Sequence, residues 1–272
     1  MDVPGFYKIS AIFICIAIIV NGVENLVAIN HFGKKGMLSW DVLETSRKWT
    51  LKGPLSNILR VIYSERGFWV YTWIRILLGV SVIGICIGHS VISGMMPYLM
   101  SGLFVLVGIF HFRNNFGLDG SDQMSIIVLF ALSVIGIFRY NDFIVLISIG
   151  FVAFQCCLSY VTAGFAKVIA KDWRSGKSLT LVMRTQNYGD DNLYKYLVKN
   201  PSISFILTWL MLIFECTFPL ALLSYKLCIF YLIGGVVFHL LNARIMGLNI
   251  FVWAFLATYP AVIYLSMKIA LF

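Results

Sequence analysis

Apolar runs close to twenty residues long recur along the whole chain, and no other feature constrains its folding as strongly. A helix needs ~20 apolar residues to cross the hydrocarbon of a bilayer, where no water satisfies an open backbone. Such runs fall at about 6–30, 68–90, 93–110, 122–138, 143–162, 203–222, 225–242 and 248–269. The third is short, and Pro97 near its start allows a re-entrant or incomplete segment. Eight spans are expected, with seven or nine as alternatives. Composition agrees: 12% of the 272 residues are charged and mean hydropathy is +0.89, against about 25% charged in a soluble protein. The predicted class is all-α, a polytopic integral membrane helical bundle with interfacial amphipathic helices.

The polar stretches 31–67 and 163–202 are too short to fold as a separate soluble domain, so 1–272 reads as one membrane domain with two polar connectors. Pro54 marks a helix start, and Leu55, Ile58, Leu59 and Ile62 repeat at the spacing of one face. The N-terminal run carries Asn21 and Glu24 without a basic leader or a small-residue cleavage pattern, so it is expected to be retained.

The net charge of +9 reflects loop placement and does not point to nucleic acid. Lys34, Lys35, Arg47, Lys48, Lys52, Arg60 and Arg66 crowd one connector, and Lys167, Lys171, Arg174, Lys177, Arg184, Lys195 and Lys199 the other. With eight spans both lie on one side, which the positive-inside rule places in the cytoplasm with both termini outside. All six cysteines fall in apolar runs without CxxC spacing and read as free packing thiols. The four histidines form no metal motif, and Walker A and dinucleotide fingerprints are absent.

Polar groups inside apolar runs are expensive and mark functional or structural sites. Glu24, Arg75 and Glu215 are the charged ones, and a Glu215–Arg75 pair locking two spans is one reading, a ligand site the other. Pro219, four residues after Glu215, can kink its span and free a carbonyl. Arg113, Asn115, Asp119, Asp122 and Gln123 lie in or beside a glycine-containing polar loop. Ser121 or Asp122 can cap the helix beginning near Met124, or the loop can bind a substrate or lipid headgroup. His239 and Asn242 share a helix face, with Arg244 close behind.

Lys167 sits where an apolar run becomes polar. A lysine at such a boundary either snorkels to water or, held away from water, serves as a base. Its surroundings, Tyr160-Val-Thr-Ala-Gly-Phe-Ala-Lys167 through Trp173 to Gly176, resemble the Y-x-x-A-G-x-x-K…W-x-x-G segment of the vitamin K-dependent gamma-carboxylase family, the HTTM domain. Phe238-His-Leu-Leu-Asn242 through Trp253, then Ala257-Thr-Tyr-Pro260, is similar to its F-H-x-x-N…G-x-F-x-W region. The loop Gly117–Gln123 resembles bacterial relatives of the sporulation-delaying toxin maturation protein B type. Ala166-Lys167 departs from the doubled lysine common in the family, and Phe251-Val-Trp253 from its usual context.

That resemblance implies a membrane enzyme using a reduced naphthoquinone, a vitamin K-like cofactor, or a related isoprenoid lipid. Lys167 would be the base, His239 and Asn242 would hold the oxygenated ring, and Trp173 and Arg244 would contact substrate or lipid. A small peptide and an operon-encoded partner protein are the implied partners, and the bacterial cytoplasmic membrane the implied location. The carboxylase orientation, with a cytosolic N-terminus, is opposite to the one the charges suggest. A non-carboxylating accessory factor for maturation or export of a small peptide toxin is the alternative.

Overall fold

The computed structural model describes residues 1–33, 36, 38–45, 54–88, 94–113 and 118–269. Asn115, the side chain of Leu55, and Lys34, Lys35, Arg47, Lys48 and Lys52 lie outside the described residues. All regular structure among the described residues is helical. Among them, eight helices or helix pairs are long and apolar enough to cross a membrane, which bears out the expected span number. The short third run is a full helix of 18 residues. The chain forms two compact units, Tyr7–Val145 and the remainder.

The first unit takes most of α1 (Val3–Val27), then α2 (Ile29–Phe32), α3 (Trp40–Thr45), α4 (Pro54–Tyr63), α5 (Glu65–Gly88), α6 (Met96–Arg113) and α7 (Gly120–Ile137). Small residues let its helices approach. A methyl on Gly22 would meet Ile76 of α5, and one on Gly136 of α7 would touch Pro97 of α6. Tyr71 of α5 donates its hydroxyl to the carbonyl of Leu106, and Tyr63 of α4 to that of Ile109. The Trp40 and Tyr63 rings meet at 4.4 Å. Tyr63 therefore turns α4 so that Ser56, Leu59 and Tyr63 are buried while Ile58 stays 56% exposed. Leu59 and Ile62 of the expected apolar face pack with Tyr63, and Ile58 of the same face is exposed.

Besides Met1–Phe6, the second unit takes α8 (Asp142–Ile169) from Leu146 onward and continues through α9 (Lys171–Arg174), α10 (Lys177–Met183) and α11 (Asp191–Lys199). It then runs through α12 (Pro201–Thr217), a 3₁₀ turn (Phe218–Leu222), α13 (Tyr225–Met246), α14 (Asn249–Leu256) and α15 (Tyr259–Ile269). Helix α8 continues seven residues past the expected end of its run, so Lys167 belongs to its last turn. Arg174 donates to the carbonyls of Val168 and Ile169 at 2.7 and 2.9 Å, capping that end. The connector then reverses at Gly176, whose φ of 77° favours glycine. A side chain there would also strike the backbone of Phe205. Ser204 donates to the Gly176 carbonyl and Trp209 to that of Arg174, binding the connector to the start of α12. Pro219 ends the regular α-helix, and the span closes in the 3₁₀ turn.

Candidate functional site

Three positions of α8 share one face: Tyr160, Gly164 and Lys167, spaced four and three residues apart. Gly164 is a point of close approach to α12. A methyl there would lie 2.8 Å from the Cys216 sulfur and 3.0 Å from Glu215 Cβ. The close approach brings Lys167 Nζ to 2.7 Å from both carboxylate oxygens of Glu215. The Glu215 side chain is 3% exposed and that of Lys167 22%. The Trp173 ring lies 5.7 Å from the same nitrogen. The partner of Glu215 is thus Lys167, which corrects the pairing with Arg75. Arg75, like Glu215, lies inside an apolar run, but the close approach at Gly164 brings Lys167 within reach instead.

Two turns back along α8, about 10 Å on the helix rise, Tyr160 anchors a second polar group. Its hydroxyl lies 2.7 Å from His239 Nε2 and 2.8 Å from the Tyr259 hydroxyl. All three side chains are buried. Gly235, one turn before His239 on α13, leaves room for them: a methyl there would overlap the Tyr259 oxygen and fall 3.0 Å from that of Tyr160. Aromatic rings enclose the chain of hydroxyls. Phe218 stacks on Tyr160 at 3.9 Å, Phe255 on His239 at 4.3 Å, and Phe214 meets Tyr160 edge-on. Tyr160 can donate to His239 and accept from Tyr259, or the whole chain can run the other way. Either direction leaves Nδ1 of His239 buried without a hydrogen-bond partner among the described residues. A buried polar atom of this kind requires an explanation.

Sequence reasoning did not single out Tyr160 or Tyr259, although both lie in the segments that resemble the family. The helical spacing of Tyr160 from Lys167 is the signal that could have found the first. For Tyr259, next to the break between α14 and α15, the sequence offers no comparable signal. Asn242 is half-buried on α13, and its carbonyl takes part in the close of that helix at Gly247. Arg244 is exposed in the last turn of α13.

The remaining candidates belong to the unit Tyr7–Val145. Arg113 is buried, donates to the Leu38 carbonyl, and lies over the Phe32 and Phe68 rings at 4.8 and 4.6 Å. Asp119, rather than Ser121 or Asp122, caps α7: its carboxylate accepts from the Asp122 N–H at 2.8 Å and the Ser121 hydroxyl at 2.7 Å. The correction follows from where the helix starts, four residues before Met124. Asp122 faces His111 at 3.4 Å, and Gln123 donates to the Leu118 carbonyl. Glu24 is half-buried on α1. Arg75 is buried midway along α5, where Nη1 meets the Asn21 side-chain oxygen at 3.2 Å.

Span-capable helices throughout the chain, with an ion pair and a tyrosine–histidine chain held between helices of one unit, define a polytopic integral membrane protein with a buried polar centre. The chain belongs to the HTTM domain family, whose domain matches residues 126–267, more than half of its length. Tyr160, Lys167, Trp173, Glu215, His239 and Tyr259 all fall within the matched residues. No curated protein and no solved structure matches the chain.

Proposed function

We propose that the unit containing α8 and α12–α15 is the centre of an HTTM-type membrane enzyme that takes a proton from a reduced quinone or a related isoprenoid lipid. The observation that carries this reading is the Lys167–Glu215 pair, set on the same α8 face as Tyr160 and its bond to His239. The fit to a planar, oxygenated ring rests on the unpartnered Nδ1 of His239, whose ring lies against Phe251 and Phe255. Aromatic walls suit a ring, and the open nitrogen suits one of its oxygens. A reduced naphthoquinone, when bound, supplies a weakly acidic hydroxyl and two electrons.

In this reading His239, held by Tyr160 and Tyr259, orients the ligand oxygen, while Asn242 adds an amide on the same helix. Lys167 receives the proton as a neutral amine. Glu215, 2.7 Å away, accepts the ammonium proton of Lys167 at that step and so frees the amine for the proton of the ligand. The Trp173 ring, 5.7 Å from Lys167 Nζ, offers its face to the ammonium.

The test is quinol oxidation in membranes by Lys167→Arg, with Lys171→Arg as control because Lys171 is exposed in α9. Arginine keeps the charge but does not give up its proton, so activity should fall by at least about 100-fold, the low end for a lost general base. The control should stay near wild type. Near-normal turnover by Lys167→Arg would show that the pair only staples α8 to α12. Peptide maturation that persists without quinol turnover would favour the accessory-factor reading.

A further inference from the structure

A second site lies in the unit Tyr7–Val145, at the start of α5. A groove of about 470 Å³ is lined by Ile29, Glu65, Arg66, Trp69 and Val70. Glu65 and Arg66 are exposed neighbours of opposite charge, and neither has an ion-pair partner among the described residues. Gly33 passes close beneath Glu65: a methyl on Gly33 would come within 3.2 Å of its carboxylate. Past this charged mouth the groove is lined by Ile29, Trp69 and Val70, and the exposed apolar side of α5 continues beyond it. Trp69, Val70, Trp73 and Leu77 are 50%, 49%, 39% and 59% exposed and follow one side of α5 at helical spacing. From Arg66 to Leu77 that stripe covers about 16 Å of helix rise, comparable to one leaflet's ~15 Å of hydrocarbon.

We propose that this groove binds an ethanolamine phospholipid, with the phosphate on Arg66, the primary ammonium on Glu65 and an acyl chain along Trp69, Val70, Trp73 and Leu77. A lone arginine would favour any phosphate-bearing lipid. The adjacent carboxylate changes the preference, because it attracts an ammonium and repels an anionic headgroup. The primary ammonium offers three N–H donors to that carboxylate. Tryptophan belongs where headgroup meets hydrocarbon, since its ring is apolar and its N–H polar. The site is independent of the Lys167 centre.

The experiment uses the full chain in detergent, loaded in turn with phosphatidylethanolamine and phosphatidylglycerol of identical acyl chains, with retained lipid counted by native mass spectrometry. Wild type should retain the ethanolamine lipid about tenfold better, the equivalent of about 1.4 kcal/mol. Glu65→Gln should bring the two lipids to near parity, and Arg66→Gln should weaken both by about tenfold. Lys195→Gln, on the exposed surface of α11, should change neither. Both groove residues are exposed, so thermal midpoints should stay at the wild-type value, confirming that the variants are folded. Equal retention of the two lipids by wild type, preference for the glycerol lipid, or a preference that survives Glu65→Gln would each overturn the assignment.

Discussion

Lys167 and Arg75 are both cations inside spans, yet they are accommodated in opposite ways. Lys167 has a carboxylate at 2.7 Å on both oxygens and a tryptophan face nearby. Arg75 has one amide oxygen from Asn21 and the rings of Tyr71 and Phe110 at 5.1 and 4.4 Å. Its Nε and Nη2 are buried without hydrogen-bond partners among the described residues. A delocalised guanidinium is weakly hydrated and stacks on aromatic faces, so it tolerates this environment better than an ammonium would. The compact ammonium needs a counter-charge. The difference separates a matched pair, which suffers when halved, from a cation with no carboxylate at ion-pair distance among the described residues.

The largest expected effect comes from halving the pair. Glu215→Leu leaves the lysine without its carboxylate and should destabilise the protein by about 3 kcal/mol. Adding Lys167→Met should restore most of that loss, measured by unfolding in detergent. If the double variant is no better than the single one, the two side chains are not a coupled unit.

An intermediate effect is expected at Gly235. Alanine there drives a methyl toward the Tyr259 and Tyr160 hydroxyls, and overpacking of this kind costs about 1–3 kcal/mol. Gly84, where an added methyl would meet nothing within 4 Å, is the matched control on another helix. Equal midpoints for the two alanine variants would mean that the hydroxyl chain yields without cost.

The smallest effect should come from Arg75→Met. It removes the orphaned donors together with the charge, and replacing a buried charge by an apolar side chain is often close to neutral, within about 1 kcal/mol. A loss as large as that of Glu215→Leu would erase the contrast and show that Arg75 depends on a strong partner.

The chain's class was legible because hydrocarbon imposes one demand, about twenty apolar residues per helix. The runs around Lys167 and His239 were likewise visible, since polar groups stand out against an apolar background. Faces were less legible. The apolar face expected on α4 is divided: Leu59 and Ile62 pack beside Tyr63, whose ring and hydrogen bond periodicity does not show, while Ile58 is exposed. The cap on α7 was displaced from Ser121 or Asp122 to Asp119 because the helix starts earlier than its apolar run.

By itself, then, the sequence determined helical spans, their number, and which side chains would be costly to bury. Only the tertiary structure decided the partners. Glu215 meets a lysine 48 positions away because Gly164 admits α12, and Tyr160 meets His239 79 positions away because Gly235 leaves room for a hydroxyl. Apolar spans carry little information about which neighbour they face, since lipid and helix are similarly apolar. Close approach at small residues, rather than hydrophobic patterning, settles which polar groups come together.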